Sequence, residues 1–348
     1  MSELWQSSLL YRIGRKYVDS ITRLSFSSVN IVGRENIPTD GSVIFAANHT
    51  NTLMDPLVQL LVIKGPIAFG ARADVFNKPK VAKLLHELKV VPIARMEKDG
   101  ADAASRNMET FEIIADCLAH GTPFGIFPEG RHRPMHSLLP VKKGVFRIAE
   151  LTIKKCDRKV YIVPVGVDYE DYFHFGKGLR ISYGEPIEVN SYLSRYESEG
   201  QFLHDISTDL YERMSKLILF FPDDENYEKA FRKYQRRHRI RRPALHKFFL
   251  RILAVAILPV FLLFALLGWM ALLPAALLVR KLKDKAWSNT IRYATIVATL
   301  PFQLLLNGIL AAFLLPGALA LLIVLLTFVA APGFYRVLNY YRELKPEK

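Results

Sequence analysis

An α/β domain around a mainly parallel sheet, followed by an α-helical transmembrane region, is the architecture this sequence predicts. Three observations predict it. Short β-branched or apolar runs alternate with helical patterns over residues 28–228, two long apolar blocks dominate the C-terminal part, and the charge changes abruptly between the two. Residues 229–348 hold 19 Lys+Arg against three acids, a net +16, so of the formal +14 only −2 belongs to residues 1–228. At 348 residues, 51% hydrophobic and with a mean hydropathy of +0.14, the chain is long enough for two folded units and too apolar to be wholly soluble. Cys117 and Cys156 lie far apart without CxxC spacing, which suggests neither a disulfide framework nor a zinc site and fits a reducing compartment.

Residues 1–27 contain no continuous apolar stretch long enough for a cleavable signal. Instead Trp5, Leu9, Ile13, Tyr17 and Ile21 recur every fourth residue, the pattern of an amphipathic helix that lies on a membrane or packs on the following domain. In residues 28–228 the strand candidates are SVNIVG (28–33), SVIFAAN (42–48), IAFGA (67–71), KVVPIA (89–94), FGIFP (124–128), KVYIVPVGVDY (159–169) and GLRISYG (178–184). Helices are expected at 56–64, 77–88, 142–155 and 202–221. The clearest is DAASRNMETFEIIADCLAHG, where Ala104, Met108, Phe111, Ala115 and Leu118 form one stripe and Gly121 supplies the stop.

Residues 229–247 form a basic juxtamembrane segment, with seven Lys or Arg among the eleven residues before Pro243. A basic run alone suits nucleic acid, a localisation signal or a solvated helix face, but the apolar block beginning at Phe248 points to anionic lipid headgroups instead, so no nucleic acid is expected as a partner. A spanning helix needs about 20 apolar residues, and the blocks at 248–279 and 293–334 are longer and interrupted by Pro or Gly. The second divides at Pro316-Gly317 into a hairpin. Basic residues on both flanks of the first favour a short or re-entrant hairpin, making 248–334 a set of transmembrane hairpins and 335–348 a cytoplasmic tail. The chain then reads as an integral membrane protein with its front domain on the cytoplasmic face.

Four polar clusters follow strand-like runs, and in open α/β sheets reactive groups gather at such carboxyl ends. In NHTNTLMD, Asp55 with Pro56 suits a helix N-terminus and His49 a loop. The same residues suit a general base, His49, oriented by Asp55, and the two readings are compatible. In FPEGRHRP, Arg131 and Arg133 behind the Glu129-Gly130 turn suit bidentate phosphate binding. Lys142 and Lys143, before a glycine and a helical pattern, suit anion binding or a helix cap. Arg72 ends the strand-like run before RAD. No GxSxG, P-loop or GxGxxG is present, and Pro134 between His132 and His136 argues against a metal pair, so no metal is expected.

Together NHTNTLMDP, GARADVF, FPEGRHRPMHSLLPVKKG and IVPVGVDY, in this order over residues 30–185, resemble the glycerophospholipid acyltransferase family, which includes the lysophosphatidic acid and glycerol-3-phosphate acyltransferases. The resemblance implies His49 as base with Asp55 as its partner, Arg72 from the second block, Glu129 and Gly130 from the third, and Pro164 from the fourth, which shapes the acyl side. It implies a membrane-bound enzyme of phospholipid biosynthesis that needs no cofactor beyond its acyl-CoA or acyl carrier protein co-substrate and acts on a glycerol phosphate acceptor. Backbone donors of the Glu129-Gly130 turn would face the oxyanion. The alternatives are a CoA-independent phospholipid transacylase or a non-catalytic membrane scaffold. Two departures stand out: five residues separate His49 from Asp55 where four are commonest, and His132 stands where the third block, commonly E-G-T-R, has its arginine. The longer spacing and the C-terminal membrane segments look like the eukaryotic glycerol-3-phosphate and dihydroxyacetone-phosphate acyltransferases.

Overall fold

All seven expected strands form, and the sheet they build explains why their sequences differ. The computed structural model describes residues 4–95, 100, 102–195, 198–238 and 244–344. In chain order the elements are α1 (Leu9–Ser25), β1 (Val29–Val32), β2 (Gly41–Ala47), α2 (Met54–Gln59), β3 (Ala68–Arg72), α3 (Pro79–Glu87), β4 (Val90–Ile93), α4 (Ala103–Ala119), β5 (Phe124–Ile126), α5 (Gly144–Lys155), β6 (Lys159–Tyr169), β7 (Leu179–Tyr183), β8 (Ile187–Glu188), α6 (Val189–Leu193), α7 (Glu199–Leu217), α8 (Tyr227–His238), α9 (Ala244–Arg280), α10 (Ser288–Leu314) and α11 (Gly317–Leu344).

The strand order is β1-β7-β6-β2-β5-β3-β4, with β8 also on β6; every pairing is parallel except β6 with β7 and with β8. The sheet is mainly parallel, as the sequence predicts. Its central strands β2 and β6 are buried almost end to end, which is why they read as continuous apolar runs rather than alternating ones. Alternation survives as a choice between two cores. Val43, Phe45 and Ala47 of β2 with Val163, Val165 and Val167 of β6 face one cluster; Ile44 and Ala46 with Val160 and Ile162 face the other. The second core is roofed by Phe111, Ile114 and Leu118 of α4, Phe146 of α5, and Leu210 of α7. The first is closed by Ile21 of α1 and, from the membrane region, by Tyr293, Ile296, Leu300, Ala331 and Tyr335. The sheet therefore rests directly on the membrane helices.

Of the two expectations for the N-terminal helix, packing on the domain is what its C-terminal half shows. Ile21 is buried, and Arg15 holds the carbonyls of Leu60 and Ile63 at 2.7 Å each, next to the last turn of α2, where a cation is favoured. Leu9, Leu10 and Ile13 are exposed, an apolar face turned away from the domain. Trp5 precedes the helix and stacks on His120 at 3.9 Å.

The membrane region departs from the expected hairpins in one place. The first apolar block is the single helix α9, running through Pro259 and Pro274. Each proline removes one backbone hydrogen bond, which the neighbouring turns of a long helix absorb. Among the described residues three helices, Val255–Arg280, Lys285–Leu314 and Gly317–Arg342, are long and apolar enough to cross a membrane. The second block does form the expected hairpin. The last turn of α10 ends at Leu315, and α11 starts at Gly317. α10 leaves from the domain and α11 returns to it, since Asn289 Nδ2 donates to Tyr172 O at 2.8 Å and Asn339 Nδ2 to Phe175 O at 2.7 Å. The expected tail at 335–348 is thus mostly helix: α11 continues to Leu344, and residues 345–348 lie outside the described residues. Of the basic segment 229–247, α8 carries the first part with Lys229, Arg232, Lys233, Arg236 and Arg237 exposed, while Phe231 packs on His136 and Phe221. Residues 239–243 lie outside the described residues.

Candidate active site

Parallel strands β2, β5 and β3 all end at one rim of the sheet, and His49 follows the first of them by two residues. Its Nδ1 lies 2.7 Å from Asp55 Oδ2. Asp55 is fully buried, and its carboxylate is saturated. Oδ2 also accepts the amides of Thr50 and Asn51 at 2.8 Å each, and Oδ1 accepts the Tyr169 hydroxyl at 2.8 Å. Burial and the Asp55 charge raise the Tyr169 phenol well above its ordinary range, so it remains a donor. With acceptors only, the carboxylate requires a proton on Nδ1, which leaves Nε2 of the neutral ring as the acceptor. Asp55 lies in the first turn of α2 but is not its cap, as the sequence had suggested: the N-cap position is Leu53, with no side-chain hydrogen bond, and the Asp55 carboxylate instead binds the amides of the loop before the helix.

Glu129 does not face the reacting side of His49. Its Oε1 accepts the His49 amide at 2.8 Å and its Oε2 the Leu139 amide at 2.9 Å, which ties the loop after β2 to the loop after β5. Burial pushes this carboxyl up, against the pull of the two amides. Arg133 N donates to His49 O at 2.9 Å, so both backbone groups of His49 are fixed from the β5 loop. The ring stacks on Phe127 at 4.4 Å. Gly130 takes φ +71°, a left-handed turn that a side chain would strain. Its amide is already given to Phe127 O at 3.0 Å, so it is not the oxyanion donor that the sequence suggested.

His49 and Gly130 line a cavity of about 360 Å³. One part of the wall is apolar: Ile93, Ala94, Ala104, Met108, Phe111, Ile126 and Val145. This explains a discrepancy in the expected stripe of α4. Phe111, Ala115 and Leu118 are buried in the core, but Ala104 and Met108 are exposed because they face this cavity. The other part is basic: Arg72, Arg95, Lys142, Lys143 and Arg147. Among the described residues lining the cavity none is acidic. The N-terminus of α5 opens here through Gly144 and Val145, where helix amides without intrahelical partners favour an anion.

Of the residues singled out in the sequence, His49, Arg72, Gly130, Lys142 and Lys143 meet at this cavity. Arg131 and Arg133 do not. Arg131 is exposed away from it, and Arg133 pairs with Asp223 and donates to Ser137 Oγ at 2.7 Å. Pro164 sits within β6, in register with Ala46, off the cavity wall. Arg95 and Arg147 escaped the sequence reading although signals existed. Arg95 follows β4 as Arg72 ends β3, and Arg147 stands one helical turn after Lys143. Among the described residues no group of three or more His, Cys, Asp or Glu has metal-holding geometry.

The mainly parallel α/β sheet thus carries a histidine-aspartate pair that opens on a cavity with an apolar part and a basic part. In comparison with known proteins, residues 28–168 match the Acyltransferase family model. The chain is 27% identical over 143 residues to a 1-acyl-sn-glycerol-3-phosphate acyltransferase of Chlamydomonas reinhardtii, covering 40% of this chain and 41% of that protein. It is 41% identical over 86 residues to glycerol-3-phosphate O-acyltransferase 2 of Saccharomyces cerevisiae, covering 24% of this chain and 11% of that one. The matches therefore span less than half the length of these relatives. The crystal structure of the 1-acyl-sn-glycerophosphate acyltransferase PlsC from Thermotoga maritima aligns with a TM-score of 0.44 at 24% identity, over 60% of this chain and 79% of that one.

Proposed function

We propose that this protein transfers a fatty acyl group from a thioester, acyl-CoA or acyl carrier protein, to a hydroxyl of glycerol 3-phosphate or 1-acylglycerol 3-phosphate at a membrane surface. The observation that carries the reading is the His49–Asp55 pair, with Nε2 left to a cavity whose walls are divided between apolar and basic residues. His49 Nε2 takes the acceptor hydroxyl proton as the oxygen attacks the thioester carbonyl, and Asp55 stabilises the imidazolium formed. When the C–S bond breaks, the imidazolium returns that proton to the leaving thiolate. The thioester is already activated, so no covalent intermediate is required. Arg72, Arg95, Lys142, Lys143 and Arg147 hold the phosphate, with the first amides of α5 adding the helix dipole.

Between the two acceptors the five-residue spacing favours glycerol 3-phosphate. The catalytic domain is assigned to the cytoplasmic side, where the basic face of α8 meets anionic headgroups. The membrane helices fit a product that cannot leave into water. The test is purified full-length protein in phosphatidylcholine vesicles with labelled acyl-CoA and each acceptor in turn, followed by identification of the lipid product. Transfer only from a phospholipid donor, with none from thioester, would overturn the reading in favour of a CoA-independent transacylase.

Two further outcomes are expected. Arg147→Ala removes one charged contact to the phosphate, a loss of roughly 1.5–3 kcal/mol for such bonds, so KM for the acceptor should rise about tenfold or more while kcat changes little. Steady-state kinetics with the acceptor varied will check it. Met108→Trp places a large ring in the apolar wall and is expected to shift preference towards shorter acyl chains, measured by competition between labelled thioesters of different length.

A further inference from the structure

Thr52 is the apex of the five-residue loop between His49 and Asp55. It takes φ +44°, a left-handed conformation that is strained for a β-branched residue and persists only where the surroundings hold it. What holds it lies 238 positions away: its buried hydroxyl pairs with Thr290 Oγ1, in the first turn of α10. The adjoining residues reach the same site. Asn289 Nδ2 donates to Tyr172 O, three residues beyond the Tyr169 that donates to Asp55. Trp287 meets the His132 ring edge-on at 5.7 Å, and His132 in turn meets the His49 ring edge-on at 5.6 Å. Because Asp55 Oδ2 binds the amides of Thr50 and Asn51 as well as His49 Nδ1, the path of the loop and the geometry of the pair are one structure.

We propose that the start of α10 is part of the active site. Thr290 and Trp287 are positioning residues, Thr290 acting through Thr52 on the loop and Trp287 through His132 on the imidazole. They touch no substrate; they hold the pair where it can work. The proposal rests on the catalytic reading of His49 and adds that the seating of the membrane hairpin on the domain sets the turnover rate. A five-residue connection gives the loop an apex with which to reach α10.

The test uses the full-length protein in phosphatidylcholine vesicles, with labelled acyl-CoA and glycerol phosphate acceptor. Thr290→Val, which removes the hydroxyl and keeps the shape, is expected to lower kcat about 10- to 10²-fold, the range for a small misplacement of a catalytic group, with both KM values within about twofold. Thr290→Ser restores the hydroxyl and is expected to stay near the wild-type rate. Thr52→Val should match Thr290→Val, and the double variant should fall no further than the worse single, because both delete one contact. A wild-type kcat in Thr290→Val, or losses that multiply in the double variant, would overturn the proposal. If Thr290→Val fails to fold, Thr52→Ala against Thr52→Ser asks the same question from the loop side, and equal rates in those two would overturn it. A His49→Ala control separates the two readings: full activity there removes the catalytic assignment itself, whereas an inactive His49→Ala beside a normal Thr290→Val removes only the role of α10.

Discussion

Replacing His49 with alanine is expected to lower acyl transfer by about 10²- to 10⁴-fold, the range for loss of a positioned general base, with little change in thermal unfolding. The fold should survive because the structural duties of this residue belong to its backbone. The amide given to Glu129 Oε1 and the carbonyl that accepts Arg133 N are both kept by alanine. The ring contributes a stack on Phe127, an edge contact with His132 and the Nδ1 hydrogen bond to Asp55, whose carboxylate keeps its three other donors when the ring is lost. What alanine removes is Nε2, the acceptor facing the cavity. Initial rates with labelled thioester will decide it, beside a melting curve for the same preparation. A folded variant that retains the full rate would show that the proton is taken elsewhere.

The same contrast between local and distant partners explains what the sequence could reveal. The central strands were legible because burial on both faces writes continuous β-branched runs, as in KVYIVPVGVDY, and the edge strand β1 because its burial alternates. The strand Ile187–Glu188 was not, since two residues carry no period. The pair itself was legible because His49 and Asp55 are six positions apart and follow one strand. Tyr169, which completes the Asp55 carboxylate, lies 114 positions from it, and Thr290 lies 238 from Thr52; no local pattern records such distances. Arg131 and Arg133 misled for the converse reason. Two arginines on a tight turn suit phosphate equally well wherever they point, and only the fold shows that Arg133 is turned to Asp223. In the membrane region, prolines read as breaks in α9 became points within one helix, because a proline's local cost is outweighed by the turns on either side.

Asp55→Asn and Asp55→Ala are expected to fail by different amounts, and the difference separates orientation from charge. Asparagine has one acceptor oxygen and one donor group. Its oxygen will occupy the Oδ2 position, where three donors converge from His49 Nδ1, Thr50 N and Asn51 N; the reverse placement would set an NH₂ against all three. The NH₂ then meets Tyr169, whose hydroxyl can turn from donor to acceptor. The imidazole keeps its tautomer and place, and only the negative charge opposite the imidazolium is lost. A fall in kcat of about 10² and a modest change in stability follow. Alanine loses everything at once. It leaves the Thr50 and Asn51 amides and the Tyr169 hydroxyl buried without their acceptor and frees the imidazole to rotate, so stability should drop by roughly 2–5 kcal/mol and kcat should approach that of His49→Ala. Because the pair acts as a unit, the His49→Ala/Asp55→Ala double variant should be no slower than His49→Ala alone. Rates and melting temperatures for the set give the answer. Wild-type activity in Asp55→Asn would show that the charge is dispensable, and equal losses in the two single variants would show that the four hydrogen bonds do not set the geometry. Tyr169→Phe in the Asp55→Asn background supplies the last check, since it strands the amide NH₂ and is expected to destabilise that variant further.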